Sequence, residues 1–149
     1  VFIGHATEAP WSPGSFDVIT LWDVLEHLAD PRATLQALGR LLRPGGVLAV
    51  RVPDGEFHLW KVRLLRPWLG RRFTWFDIPN HLNHFRPRTL CRLLSETGFR
   101  VEHVRPGAPH LWGKPLDHLK RLYYRGARAA ATLCGWHLGN CFEMYARRV

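Results

Sequence analysis

The chain has 149 residues, enough for one domain with a buried core, and its 46% hydrophobic content excludes a disordered chain. No apolar run approaches the ~20 residues of a membrane-spanning helix, and the opening VFIGHATEAP has neither the basic nor the apolar stretch of a secretory signal. The formal charge of +9, from 21 Lys and Arg against 12 Asp and Glu, admits an anionic partner but says nothing about fold.

In chain order, Val1 to Ile3 reads as a short strand closed by Gly4, and Thr7 to Ser15 as a loop broken by Pro10, Pro13 and Gly14. Opening directly on an apolar triplet, the chain is expected to begin inside a domain. Phe16 to Trp22 is rich in β-formers without clean alternation, which suits a strand covered on both faces. Asp23 to Leu28 reads as a short helical turn. Asp30 can cap the next helix, with Pro31 in its first position and Leu35, Leu38, Leu41 and Leu42 at helical spacing. The turn RPGG (Arg43 to Gly46) ends it, and Val47 to Val52 follows as a second strand. Strand, helix, strand within about forty residues predicts a parallel pair formed by Asp17–Trp22 and Val47–Val52.

Glu56 to Leu65 is a further helix candidate. Trp60, Trp68, Phe73, Trp75, Phe76 and Phe85 crowd the following region, where core or lid packing is the expectation. Pro87 to Thr97 reads as a helix with Leu90, Leu93 and Leu94 inward and Gly98 as its stop. Arg100 to Val104 alternates as a strand. Leu116 to Trp136 reads as a long basic helix bearing Leu116, Leu119, Leu122, Tyr123, Ala130 and Leu133, and Cys141 to Arg148 as a closing strand. The whole, residues 1–149, reads as a single domain.

The arginines are scattered, as a solvated surface is, so no nucleic-acid partner is expected. Lys114, Lys120, Arg121, Arg125 and Arg128 on the basic helix leave peripheral contact with an anionic membrane as an alternative to a helix that covers the sheet with its charges in water. Cys91, Cys134 and Cys141 show no CxxC spacing, so a reducing cytoplasm is the expected location. His81 and His84 are spaced H-x-x-H, and His5, His27 and His58 are other imidazoles. No recognisable ligand set surrounds them, so no metal site is expected. His81 and His84 read either as substrate-facing proton acceptors or as hydrogen-bonded structural residues.

Asp23, Glu26 and His27 follow the strand end where open α/β sheets bind ligands, and at helical spacing they share a face. The stretch SFDVITLWDVLEHLADPRATLQALGRLLRPGGVLAVRVPD resembles class I S-adenosylmethionine-dependent methyltransferases of the small-molecule type. HLNHFRPRTLCRLLSETGF and GNCFEMYARR are similar to the same family's penultimate-helix segment and final strand.

The resemblance implies an α/β fold: a three-layer Rossmann-like sheet, mostly parallel with a final antiparallel strand, in the order 3-2-1-4-5-7-6. It further implies S-adenosylmethionine as cofactor, with Asp23 near its methionine part and Trp22 lining the same pocket. Glu26 and His27 match an EH pair at the mouth of the site. Gly4, His5 and Ala6 fall on the loop that holds adenine, where similar proteins often carry Gly-Asp instead of Gly4-His5. The family's glycine-rich turn, Asp/Glu-x-Gly-x-Gly, has no counterpart here, so the amino-terminal strands are expected to be missing. The strand at Asp17–Trp22 would then be an exposed edge, which either takes Val1–Ile3 beside it within one chain or recruits a second chain. The function implied is methyl transfer to a small-molecule or lipid-like acceptor, with His27, His81 or His84 as base. The alternative is a non-catalytic binding remnant that lost its cofactor site.

Overall fold

In a computed structural model, the structure describes residues 2–70, 80–107, 117–134 and 139–149. Among them eight regular elements follow in order: β1 (Phe16–Trp22), α1 (Pro31–Leu41), β2 (Leu42–Pro53), α2 (Gly55–Leu69), α3 (Pro87–Glu96), β3 (Phe99–Pro106), α4 (Asp117–Cys134) and β4 (Cys141–Arg148). Short 3-10 turns at Ala6–Glu8 and Leu25–His27 flank β1.

The sheet order is β1-β2-β4-β3, with β1 parallel to β2 and with β4 antiparallel to both β2 and β3. Three strands therefore run one way and the last runs back, which is the 4-5-7-6 portion of the order expected. The predicted pairing holds in register: Ile19 lies opposite Leu48 and Leu21 opposite Val50. The turn RPGG lies inside β2, where Gly45 adopts φ 72° and the register slips between Phe16 and Val18.

α1 forms for local reasons. The Asp30 carboxylate accepts from the Ala33 amide at 2.8 Å, and Pro31 needs no hydrogen bond in the first turn. α3 starts in the same way: Pro87 leads it, and the Thr89 hydroxyl accepts from the Arg86 amide. It ends before Gly98, at φ 89°. Leu35, Leu38 and Leu41 of α1 and Leu90 and Leu94 of α3 pack with Leu48, Val50, Val52, Phe142, Met144 and Ala146 into one core. α4 approaches β3 and, through Arg128, the opposite sheet face, so helices lie on both sides of the sheet.

That second face departs from expectation. Val18, Thr20 and Trp22 are exposed, so β1 is covered on one face only. Arg51, Glu143 and Tyr145 hold the middle of this face with ion pairs instead of an apolar layer. Phe2 and Ile3 form no strand. The Phe2 ring packs edge-on against Trp11, and Trp11 against Phe16, so aromatic contacts rather than a ladder place this segment. On α4 the buried residues are Asp117, Tyr124 and Ala127, while Leu119, Leu122 and Tyr123 face water. Trp60 and Trp68 are likewise exposed, and among the described members of the aromatic group only Phe85 joins the core. Val1, Phe73, Trp75, Phe76, Lys114, Leu116 and Trp136 lie outside the described residues, as does the side chain of Leu133. Among the described residues no helix is long and apolar enough to cross a membrane.

Candidate active site

The carboxyl ends of β1, β2 and β3 and the start of β4 share one edge, since Pro53 pairs with Cys141 and Pro106 with Phe142. Three backbone bonds stitch the loops there. The Asp54 amide donates to the Asn140 carbonyl at 2.9 Å, the Gly55 amide to Phe85 at 2.8 Å, and the Asn83 amide to Glu26 at 2.9 Å. Gly55 is needed at this junction: a Cβ there would stand 3.0 Å from the Phe85 carbonyl. The Asn83 side chain donates to the Leu28 carbonyl at 2.7 Å, so this one residue pins the segment carrying His81 and His84 onto the turn carrying Glu26 and His27.

The result is a compact cluster. The His27 and His81 rings are 4.8 Å apart between centroids, and His81 and His84 are 6.2 Å apart. His27 Nδ1 lies 2.7 Å from the Asn80 carbonyl oxygen. A carbonyl only accepts, so the neutral ring carries its proton on Nδ1 and leaves a lone pair on Nε2. That atom stands 3.9 Å from Glu26 Oε1. Glu26 is 1% exposed, and neither carboxylate oxygen has a hydrogen-bond partner. Burial pushes its pKa up, and the nearby Asp23 charge adds to the rise. One ligand atom each from Glu26, His27 and His81 falls within 4.8 Å of the others, a spacing that could accommodate a divalent cation between them.

Asp23 does not share that face. Among the described non-glycine residues it alone has positive φ, at 53°. The twist turns its carboxylate to Arg51, which grips it through Nε at 3.1 Å and through Nη2. The Asp23 bond holds the Arg51 pKa above its usual value. The Arg51 guanidinium also lies 5.6 Å over the Trp22 ring. Trp22 and Arg51 line a cavity of about 370 Å³ with Arg105, Arg128, Glu143 and Tyr145. His5 serves its own turn: Nδ1 contacts Thr7 Oγ1 at 2.7 Å, and Nε2 reaches Thr34 on α1 at 3.5 Å. Gly4 and Ala6 flank it, with Ala6 packed against the core.

A cationic cofactor end would suit this edge in part. Asp23 and Glu26 supply two acids there, one of them without a partner for its oxygens. The backbone cradle for a nucleotide half, the glycine-rich turn, is not among this chain's residues.

Several participants carried weak signals in the sequence. Arg51 interrupts the apolar run VLAVRV, and a cation in a central strand calls for a counter-charge. Asn80 and Asn83 interleave with His81 and His84 in NHLNHF and act through backbone contacts that spacing does not show. His58 sits in the first turns of α2, where burial, then Lys61, His81 and His84, lower its pKa to about 4. Burial lowers the pKa of Lys61 and raises the Cys141 thiol to about 11.

A family model described as Methyltransferase domain matches residues 2–104. Among curated proteins, the chain is 53% identical over 96 residues to a ubiquinone biosynthesis O-methyltransferase of Xanthomonas euvesicatoria, covering 62% of this chain and 38% of that protein. A Colwellia psychrerythraea protein of the same name is 46% identical over 89 residues, covering 60% of this chain and 36% of that one. The chain thus spans well under half the length of these relatives. Among solved structures, a SAM-dependent methyltransferase of Thermotoga maritima superposes with a TM-score of 0.62 at 19% identity, covering 98% of this chain and 62% of that one. A [4+2]-cyclase superposes with a TM-score of 0.58 at 17% identity, covering 97% and 54%. These structural likenesses show a shared Rossmann-like fold, and the cyclase shows that this fold also serves other reactions.

Proposed function

The chain belongs to the methyltransferase-domain family, and on that footing we propose that it supplies the acceptor side of a site moving a methyl group from S-adenosylmethionine to a small or lipid-like molecule. The names of its curated relatives favour a hydroxyl as the nucleophile. When bound, the cofactor supplies an electrophilic methyl on a sulfonium. The rest is the work of this chain's residues.

The observation that carries the reading is the fixed tautomer of His27. The Asn80 carbonyl holds the proton on Nδ1, so Nε2 is ready to accept one from an attacking hydroxyl. The charge that this places on the ring is 3.9 Å from Glu26, a carboxylate with no other partner. His81 packs against His27 and limits where an acceptor can lie. In this reading Trp22 and Asp23, at the end of β1, meet the methionine end of the cofactor, with Asp23 held by Arg51. Alignment of the two reactants is the chief contribution asked of the protein.

Amide chemical shifts during titration with S-adenosylhomocysteine test this. Weak, millimolar binding is expected, because the glycine-rich turn is not in this chain, with shifts concentrated at Trp22, Asp23 and His27. If those amides stay still at saturating ligand, the cofactor reading is overturned and the non-catalytic reading takes its place. Where transfer is measured, His27→Ala is expected to remove turnover while leaving those shifts in place.

A further inference from the structure

From α2 we infer a function beyond methyl transfer: this helix is an interfacial anchor that lies on an anionic lipid surface. It has 15 residues, and only Gly55 among them is buried. Trp60, Leu64 and Trp68 recur every four residues and are 55%, 53% and 86% exposed. Phe57 stacks on Trp60 at 5.9 Å and extends the stripe toward the first turn. Residues at that spacing lie on one side of a helix.

A helix this short is marginal in water on its own and is stabilised by a surface that covers its apolar side. At 1.5 Å per residue it spans roughly 22 Å, short of the ~30 Å hydrocarbon core, so it lies along a bilayer rather than across it. Its charges select the kind of surface. Lys61, Arg63 and Arg66 stand against Glu56 alone, and Arg63 and Arg66 are exposed. The whole chain carries +9. Tryptophans and leucines beside arginines are the composition of helices that sit at the headgroup level of anionic membranes. A protein partner would need acidic groups around an apolar groove. A leaflet rich in anionic lipid meets both requirements without any specific fit. α4 is the basic helix singled out by sequence, but it buries Asp117, Tyr124 and Ala127 in the body of the protein, whereas α2 half-buries one side, His58 and Lys61 included, and has no fully buried residue beyond Gly55.

Sedimentation with vesicles tests the inference independently of any methyl transfer. The chain is expected to pellet with phosphatidylcholine vesicles containing phosphatidylglycerol, and to stay in solution with phosphatidylcholine alone. Trp60→Ser with Trp68→Ser, and separately Arg63→Glu with Arg66→Glu, are expected to weaken binding about tenfold or more, with circular dichroism and melting of the body unchanged. Leu119→Ser with Leu122→Ser on α4 is expected to bind like the unaltered chain. The inference is overturned if anionic vesicles do not pellet the chain, or if the α4 variant loses binding while the α2 variants keep it. It is also overturned if light scattering shows a lipid-free dimer that the tryptophan variant dissolves, since a second copy would then be what covers the stripe.

Discussion

Glu26 and His58 illustrate opposite uses of burial within one cluster. Glu26 is sealed against Leu25 and the Asn83 loop with its oxygens unpaired, and its pKa is raised above 4.5. A carboxyl raised in the fold is no burden below pH 4.5 and becomes one as pH climbs through the raised value. Glu26→Gln is therefore expected to raise the melting temperature at pH 8 by about 2–4 °C, a gain that disappears as pH falls to 4.5. Thermal melts across that range check it, and a variant less stable at pH 8 would show that the carboxylate has a partner. His58 runs the other way. Its pKa is lowered to about 4, so the unfolded chain takes up a proton between pH 6.5 and 4 that the fold refuses. Stability falls through that window, and His58→Gln is expected to flatten the fall without altering stability above pH 7. Urea titrations at pH 7.5, 5.5 and 4.5 measure the slope.

Capping and packing contribute separately among the elements. Asp54 caps α2: one carboxylate oxygen accepts from the Glu56 amide at 2.9 Å and from the Phe57 amide at 3.2 Å. Losing such a cap costs about 1 kcal/mol. Because the contacts that hold α2 to the body lie in its first two turns, where Lys61 Nζ donates to Asn140 Oδ1 at 2.6 Å, Asp54→Ala is expected to lower helical circular dichroism and speed amide exchange in α2, with Asp54→Asn restoring both. Leu35 of α1 is fully buried in the common core. Leu35→Ala is expected to cost about 2–5 kcal/mol and to appear as cooperative loss of the whole fold. A large drop in global stability from Asp54→Ala would mean that α2 is packed more firmly than its exposure shows.

Among the described residues the sheet has β1 and β3 at its two edges, and β1 is the more apolar side-on surface. On β1, Val18 is 55% and Trp22 43% exposed on the face opposite the core. Natural sheets avoid apolar edges of this kind, because unpaired amides and carbonyls there recruit other strands. We expect concentration-dependent association in light scattering and its suppression by Val18→Lys, which places a charge beside the edge. A chain that stays monomeric at high concentration would remove the edge as an association surface. This contact is distinct from the lipid-facing stripe on α2, and each variant set tests one surface only.

Local signals carried the order and type of the elements. Asp30-Pro31 ahead of leucines at helical spacing determined α1, and two short apolar runs around it determined the parallel pair, because caps and periodicity act over a few residues. The strand Cys141–Arg148 was legible from its pattern alone. The choice of EH and the two downstream histidines as site residues also came from sequence. That Glu26, His27 and His81 meet while Asp23 turns away was decided by contacts spanning more than fifty positions, through Asn80 and Asn83, and by Arg51 on the neighbouring strand. The face that a helix shows was likewise a tertiary outcome: α4 turned Tyr124 and Ala127 inward and left Leu119 and Leu122 in water. Period fixes which residues share a side, but the surroundings choose which side is buried, and only the assembled sheet supplies those surroundings.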